Sequence, residues 1–373
     1  MRVGIIGDGI AGRTLYRLLS TRDFPVEIYG EEKFTNCQIR PCGFGTSASC
    51  IELISGLGIS PKEYVLRHDD YILINGRRIR GDLYWIDKPK LLRTLANNIR
   101  YSKPSIGDYD IVVDATGVRR TLSQEISNYS DKKGIGCQYR VILNGHAKPA
   151  FDTIKGGYLW TIPLGESEAH VGGGSINLPI DEIKELITGY LQMLKPNKIV
   201  CSCSEPIRLS GPIFPVIHGK IINVGESAGL VVPFGGAGIH AAFESAIILA
   251  EQICKNDVKG YDKAIRKHFG RLSTLRRIVD DIEKGRFVLL GLGTAYWALR
   301  YEGLKPTLKD LLYIRRNLIE IYAYPFNSEW DSLDAPTLSD AFLLHKYPYK
   351  LAPIDLEPNL IPFGTPPSAY PFC

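Results

Sequence analysis

The first 32 residues, MRVGIIGDGIAGRTLYRLLSTRDFPVEIYGEE, narrow the possible folds more than any other stretch. Val3, Ile5 and Ile6 read as a buried strand, Leu15, Leu18 and Leu19 continue a helix, and Val26 and Ile28 begin a second strand. Two strands joined through a helix form a βαβ unit, the building block of α/β folds. Gly7, Gly9 and Gly12 supply GxGxxG at the turn. The first glycine permits the tight turn, the second lets backbone approach a pyrophosphate, and the third lets helix lie on strand. Ile10 and Ala11 fall between the glycines and belong to the same binding turn. In such units an acidic residue at the end of the second strand holds the adenosine ribose. That slot falls on Gly30, so Glu31, the next residue, is the expected ribose contact.

A second glycine-rich unit comes late, at residues 221–251, IINVGESAGLVVPFGGAGIHAAFESAIILAE. It reads as a buried strand, a turn, a loop containing Gly229, Pro233, Gly235, Gly236 and Gly238, and then a helix apolar on nearly every side. Such a helix must be buried. A glycine loop feeding its first turn leaves backbone N–H groups aimed at whatever sits there, which favours a group that is or becomes negative. Between the two units, DIVVDATG at 110–117 is a further buried strand, ending in Ala115, Thr116 and Gly117. Small residues at the carboxyl end of a strand are where a ligand reaches an open α/β sheet.

The pattern changes over residues 138–176, where alternating, aromatic-rich runs separated by glycines predict an antiparallel sheet inserted into the α/β domain. Tyr158, Trp160 and Ile162 share one face at period two, as a plain hydrophobic sheet face or as the wall of an apolar cavity. Residues 36–50, NCQIRPCGFGTSASC, are broken by Pro41, Gly43 and Gly45. Cys42 sits between proline and glycine there, either as an inert surface thiol or brought close to a ligand. Asn75-Gly76 predicts a type I′ hairpin turn. Residues 261–286 are basic and helical with acids interspersed, a solvated face. Thr307 caps a helix over 307–322. Prolines at 348, 353, 358, 362, 366, 367 and 371 make the tail extended.

Composition excludes several classes of function. Lys and Arg number 45 against 40 Asp and Glu, a margin too small to argue for nucleic acid and enough only for mild attraction to anionic surfaces. The longest apolar run, 287–299, is too short to span a bilayer, and the N-terminus has no signal-peptide pattern. The expected location is cytoplasmic, with at most peripheral membrane contact. The eight cysteines show no CxxC pair or His/Cys spacing, so no metal site is expected.

Chain order then selects the cofactor. A nicotinamide dehydrogenase completes its nucleotide site early, whereas this chain leaves for a sheet and returns, an order that suits a flavin. On GDGIAG (7–12), RPCGFG (40–45), DIVVDATG (110–117), GGYLWTIPLGESEAHVGGG (156–174) and GESAGLVVPFGGAGIHAA (225–242), the chain resembles the geranylgeranyl reductase family. These are FAD flavoproteins related to p-hydroxybenzoate hydroxylase, and the likeness extends to about residue 254. The resemblance implies an α/β fold with a glutathione-reductase-type Rossmann FAD domain (1–135 and 205–256). An antiparallel-sheet substrate domain (136–204), a C-terminal helical region (257–347) and a Pro-rich tail (348–373) complete it.

The resemblance also implies roles. Arg40, Pro41, Cys42, Gly43 and Gly45 line the flavin, Gly225 and Glu226 reach the ribityl and pyrophosphate portion, and the loop from Gly229 through Gly238 to Ile239 covers the isoalloxazine. Tyr158, Trp160 and Pro163 line the substrate cavity, and Lys88 stands where the family has an arginine. Further departures are Glu226 for Asp, Ile162 for an aromatic and Lys155 for a proline. The implied activity is reduction of C=C bonds in a polyprenyl lipid or diphosphate by hydride from flavin N5, with electrons from NAD(P)H or a ferredoxin-like protein. Cys42 is then a proton donor or redox-sensitive thiol, or only packs beside the flavin. Two other readings stand: an FAD monooxygenase acting on an apolar or aromatic substrate, and a flavoprotein that binds lipid without chemistry.

Overall fold

Val3–Ile6 is an inner strand of a five-stranded sheet, parallel to the edge strand Val26–Tyr29 on one side and to the middle strand Ile111–Asp114 on the other. Ile221–Asn223 adds in parallel beyond Ile111–Asp114, and Ile217–His218 closes that edge antiparallel. The computed structural model describes residues 1–31, 42–102, 104–123, 131–233, 235–284 and 292–323; Arg40, Pro41 and the proline-rich tail lie outside them. The central strands are short and apolar because both of their faces are covered. Helices Ile10–Ser20, Ile239–Cys254 and Gly260–Glu283 pack Leu15, Leu19, Leu249, Phe269 and Leu272 on one face, against Val3, Ile5, Val113 and Ile222. On the other face Tyr29, Tyr109 and Val112 form a smaller cluster.

A second sheet has eight strands, in the order Lys198–Arg208, Lys133–Ile142, Glu168–Ser175, Gly157–Pro163, Ala150–Ile154, Val65–Ile74, Arg77–Ile86, Gly45–Ser47. It therefore exceeds the expected 136–204 segment at both ends and takes three strands from the first half of the chain. The reason is edge pairing: the hairpin Val65–Ile74/Arg77–Ile86 meets Ala150–Ile154 in parallel at Leu73↔Ala150, so neither edge is left open. The hairpin turns at Asn75 (φ 48°) and Gly76 (φ 79°), the positive pair that a type I′ turn requires. Helix Ile180–Leu194 covers one face of this sheet with Ile183, Ile187 and Tyr190 against Leu159, Val171 and Ala169. The opposite face is turned toward the glycine motifs. Among the described residues no helix is long and apolar enough to cross a membrane.

Candidate functional site

The glycine motifs converge at the carboxyl ends of the parallel strands. Gly7 adopts φ +115°, and a Cβ there would run into the backbone of residue 115; a Cβ on Gly12 would overlap the Gly7 carbonyl oxygen. Both positions are glycine because the chain's own backbone fills the space. Gly9 differs. A Cβ on it would meet no atom within 4 Å, and it precedes helix Ile10–Ser20 without any side chain capping the first N–H groups. An open cradle at a helix N-terminus fits a pyrophosphate.

Ile111–Asp114 ends in a turn built by its own last residue. The fully buried Asp114 carboxylate accepts from Thr116 N at 3.1 Å, Thr116 Oγ1 at 2.7 Å, Leu122 N at 3.0 Å and Ser123 Oγ at 3.3 Å. Thr116 Oγ1 in turn accepts from Thr121 N at 2.9 Å, so the DATG turn, with Ala115 and Gly117, is fixed internally. Gly225 follows the last parallel strand, Ile221–Asn223, donates its N–H to Ser245 Oγ at 3.1 Å, and packs so closely on Ala11 that a Cβ would come within 2.9 Å of the Ala11 methyl. The early and late motifs therefore touch. Glu226 accepts the Arg208 N–H at 3.0 Å, which ties its carboxylate to the last residue of strand Lys198–Arg208.

Past the second strand, Glu31 is exposed and pairs with Arg119, bridging to beyond Ile111–Asp114. Behind it, Asp8 fills the slot that an acidic side chain at position 30 would need: a Cβ on Gly30 would lie 2.8 Å from Asp8 Cγ. Asp8 is buried and gripped by Arg13, whose Nη2 reaches Oδ2 at 3.0 Å and whose Nε donates to the Asp8 carbonyl at 2.7 Å. Asp8 stands outside the residues expected from sequence. A glycine in the slot together with a carboxylate inside GDG was the signal.

Three side chains of the second sheet meet the glycine motifs from the far side. Tyr158 OH donates to the Gly235 carbonyl. Trp160 Nε1 donates to Gln138 Oε1 at 3.2 Å, and Gln138 Nε2 donates to the Cys42 carbonyl at 3.4 Å. Ile162 packs against Gly43. One face thus ties the Cys42 segment and the glycine loop together. Phe44, Ile10, Ile239, Trp160 and Ile162 share an apolar cluster, with Cys42 and Tyr158 partly buried against it. Gly45 begins the edge strand Gly45–Ser47, and Pro233, Gly236 and Gly238 lie in the loop that Tyr158 holds. Pro163 pairs with Ala169, whose side chain belongs to the cluster on the opposite face, so it ends the strand without joining this wall.

His170 sits fully buried beside the Phe44 ring, 4.7 Å between centroids, and among the described residues neither ring nitrogen makes a hydrogen bond of ordinary geometry, with the Cys42 backbone as a polar neighbour. Desolvation, with the charges of Arg140 and Lys88 adding to it, pushes its pKa down to about 3, so it is neutral in the physiological range. Lys88 opens helix Lys88–Leu95, which Asp87 caps through Lys90 N at 2.9 Å. A residue with no sequence motif also reaches the glycine loop. Glu302, just past helix Leu292–Tyr301, places its carboxyl carbon 3.0 Å from where a Cβ on Gly235 would stand. Among the described residues no group of His, Cys, Asp and Glu is placed to hold a metal ion.

No protein-family profile matches the chain. It is 28% identical over 370 residues to an uncharacterized protein of Methanocaldococcus jannaschii, covering 83% of this chain and all of that one. It is 32% identical over 188 residues to digeranylgeranylglycerophospholipid reductase 1 of Methanococcoides burtonii, covering 46% of this chain and 43% of the reductase, so it aligns with less than half of that relative's length. The fold matches a geranylgeranyl bacteriochlorophyll reductase-like protein from Thermoplasma acidophilum with a TM-score of 0.63 at 18% identity, over 85% of this chain and 99% of the other. With strand–turn–helix units from early and late in the chain meeting at one sheet end, the chain shares the fold of this reductase-like protein and is similar over part of its length to digeranylgeranylglycerophospholipid reductases.

Proposed function

We propose that this protein binds FAD along the carboxyl ends of its parallel strands and saturates C=C bonds of a polyprenyl chain. The observation that carries the reading is the wall Tyr158–Trp160–Ile162, which faces both the Cys42 segment and the Gly235–Gly236 loop. An apolar wall with few polar anchors suits an isoprenoid chain. Gly9 and the start of helix Ile10–Ser20 would hold the pyrophosphate, and Asp8 with Glu31 the adenosine side. Gly225 and Glu226 would hold the ribityl side, and Cys42, Gly43 and the loop up to Ile239 the ring. When bound, the reduced flavin supplies the hydride; the protein supplies binding, orientation and exclusion of water. The uncapped start of helix Ile239–Cys254 favours negative charge beside it. The Gln138 bridge fixes the backbone of Cys42 and so the position of its thiol.

The relatives' names support the isoprenoid substrate. Reducing equivalents come from a nicotinamide or a ferredoxin-like donor, and the substrate's apolar tail brings the protein to a membrane surface. Purified protein reconstituted with FAD, reduced with dithionite without oxygen and given a geranylgeranyl lipid should return product heavier in steps of two hydrogens. Product heavier by one oxygen atom after exposure to air, with no hydrogenation, would assign a monooxygenase instead. Failure to take up FAD would end both readings.

A further inference from the structure

The reductase reading leaves the second hydrogen unassigned, because hydride accounts for only one of the two C–H bonds. We infer that Glu302 is the proton donor, an acid delivered by the C-terminal helices to the glycine loop that Tyr158 holds. The inference rests on the reductase reading and adds a residue outside every motif behind it.

Its geometry is set by pinning. The turn after helix Leu292–Tyr301 passes through Gly303 at φ +95°, where a Cβ would lie 2.9 Å from the Asp82 carbonyl oxygen. Asp82 N donates to Gly303 O at 2.9 Å and Lys305 N to Arg80 O at 2.7 Å, so the turn is stitched to strand Arg77–Ile86. Glu302 is thereby aimed at Gly235, its Oε2 3.2 Å from the position a Cβ would take. Gly235 is the residue whose carbonyl accepts from Tyr158. Acid, loop and substrate wall meet at one point.

Its chemistry follows from what surrounds it. The titratable groups that Glu302 acts on are Tyr158, from the sheet, and Tyr301, beside it on its own helix; burial pushes both phenols up, so both are neutral. No cation pairs with Glu302 among the described residues, and the C-terminal end of helix Leu292–Tyr301 disfavours a carboxylate. Desolvation pushes the carboxyl up to about 7. A neutral acid at physiological pH is what general acid catalysis requires. With a reduced flavin bound, the hydride it supplies would form one C–H bond as the π bond breaks. The Glu302 proton forms the other, and the carboxylate left behind regains a proton from water.

The test uses FAD-reconstituted protein, reduced anaerobically and mixed with a detergent-dispersed geranylgeranyl lipid, with flavin reoxidation followed by absorbance. Wild-type reoxidation should fall as pH rises through about 7. E302Q should be slower by about 100-fold or more and lose that inflection, with FAD content and dithionite reduction unchanged. C42A should keep the inflection. Wild-type turnover with E302Q within threefold, or with the inflection retained, overturns the donor assignment alone. No turnover in wild type overturns the reductase reading and the donor role with it. Infrared difference spectra of holoprotein carrying D152N, which removes the other buried carboxyl that titrates in this range, give an independent check should E302Q fold poorly: a protonated-carboxyl band must be present at pH 6 and gone at pH 8. Its absence at pH 6 also overturns the assignment.

Discussion

Two glycines three residues apart should fail in opposite ways. At Gly9 the backbone (φ −76°, ψ −171°) suits any residue, and a methyl would point into space with no protein atom within 4 Å. Gly9→Ala therefore costs the apoprotein at most about 1 kcal/mol, the usual loss when alanine replaces a better N-cap. If that space is where the pyrophosphate approaches, the same methyl costs about 1–3 kcal/mol of overlap in the complex, a 5- to 150-fold rise in the FAD Kd at about 1.4 kcal/mol per tenfold. Gly12→Ala differs, because its methyl overlaps the Gly7 carbonyl oxygen and comes within 3.2 Å of the Ala115 methyl. The Gly7 backbone cannot retreat, since its N–H is bonded to the Tyr29 carbonyl at 2.7 Å. The apoprotein itself should lose about 3 kcal/mol. Urea unfolding of both apoproteins and FAD titration by quenching of flavin fluorescence read the two effects separately. Gly9→Ala binding FAD within twofold of wild type would refute the pyrophosphate assignment, and an unchanged midpoint for Gly12→Ala would refute the packing argument.

Three further outcomes follow from the same structure. Asp152 is 4% exposed, and desolvation pushes its carboxyl from 3.8 to about 6. With the folded pKa above the unfolded one, its stabilising contribution is full below pH 4 and lost as pH rises through 6, about 3 kcal/mol for two units; the stability difference between wild type and Asp152→Asn should shift by that amount between pH 4 and 7, and parallel curves would refute it. Asp114→Ala removes the acceptor of four hydrogen bonds and should cost about 3 kcal/mol or more in urea unfolding; a loss under 1 kcal/mol would mean that the turn does not depend on it. Tyr158→Phe frees the Gly235 carbonyl and should weaken FAD binding about fivefold, roughly 1 kcal/mol, and an unaltered Kd would separate that loop from the cofactor.

Much of the fold was legible because its determinants are local. Val3, Ile5 and Ile6 alternate with nothing polar, Asn75-Gly76 can make few other turns, and Tyr158, Trp160 and Ile162 state their common face by spacing. The enlarged second sheet was not legible, because the pairing Leu73↔Ala150 joins segments nearly 80 residues apart and no local pattern records it. Glycine shows the same limit within the site. In sequence, Gly9 and Gly235 look alike, each the middle of a small-residue loop that leaves room for a ligand. In the folded chain the room at Gly9 stays open, whereas the room at Gly235 is taken by the Glu302 carboxyl, placed there by the bond from Asp82 N to the Gly303 carbonyl. A missing side chain records only that space is needed; tertiary contact decides whether a cofactor or a catalytic group takes it. The cofactor half of the proposed site therefore rests on motifs. The acid that completes the chemistry comes from a region with no motif, visible only through the glycine that makes way for it.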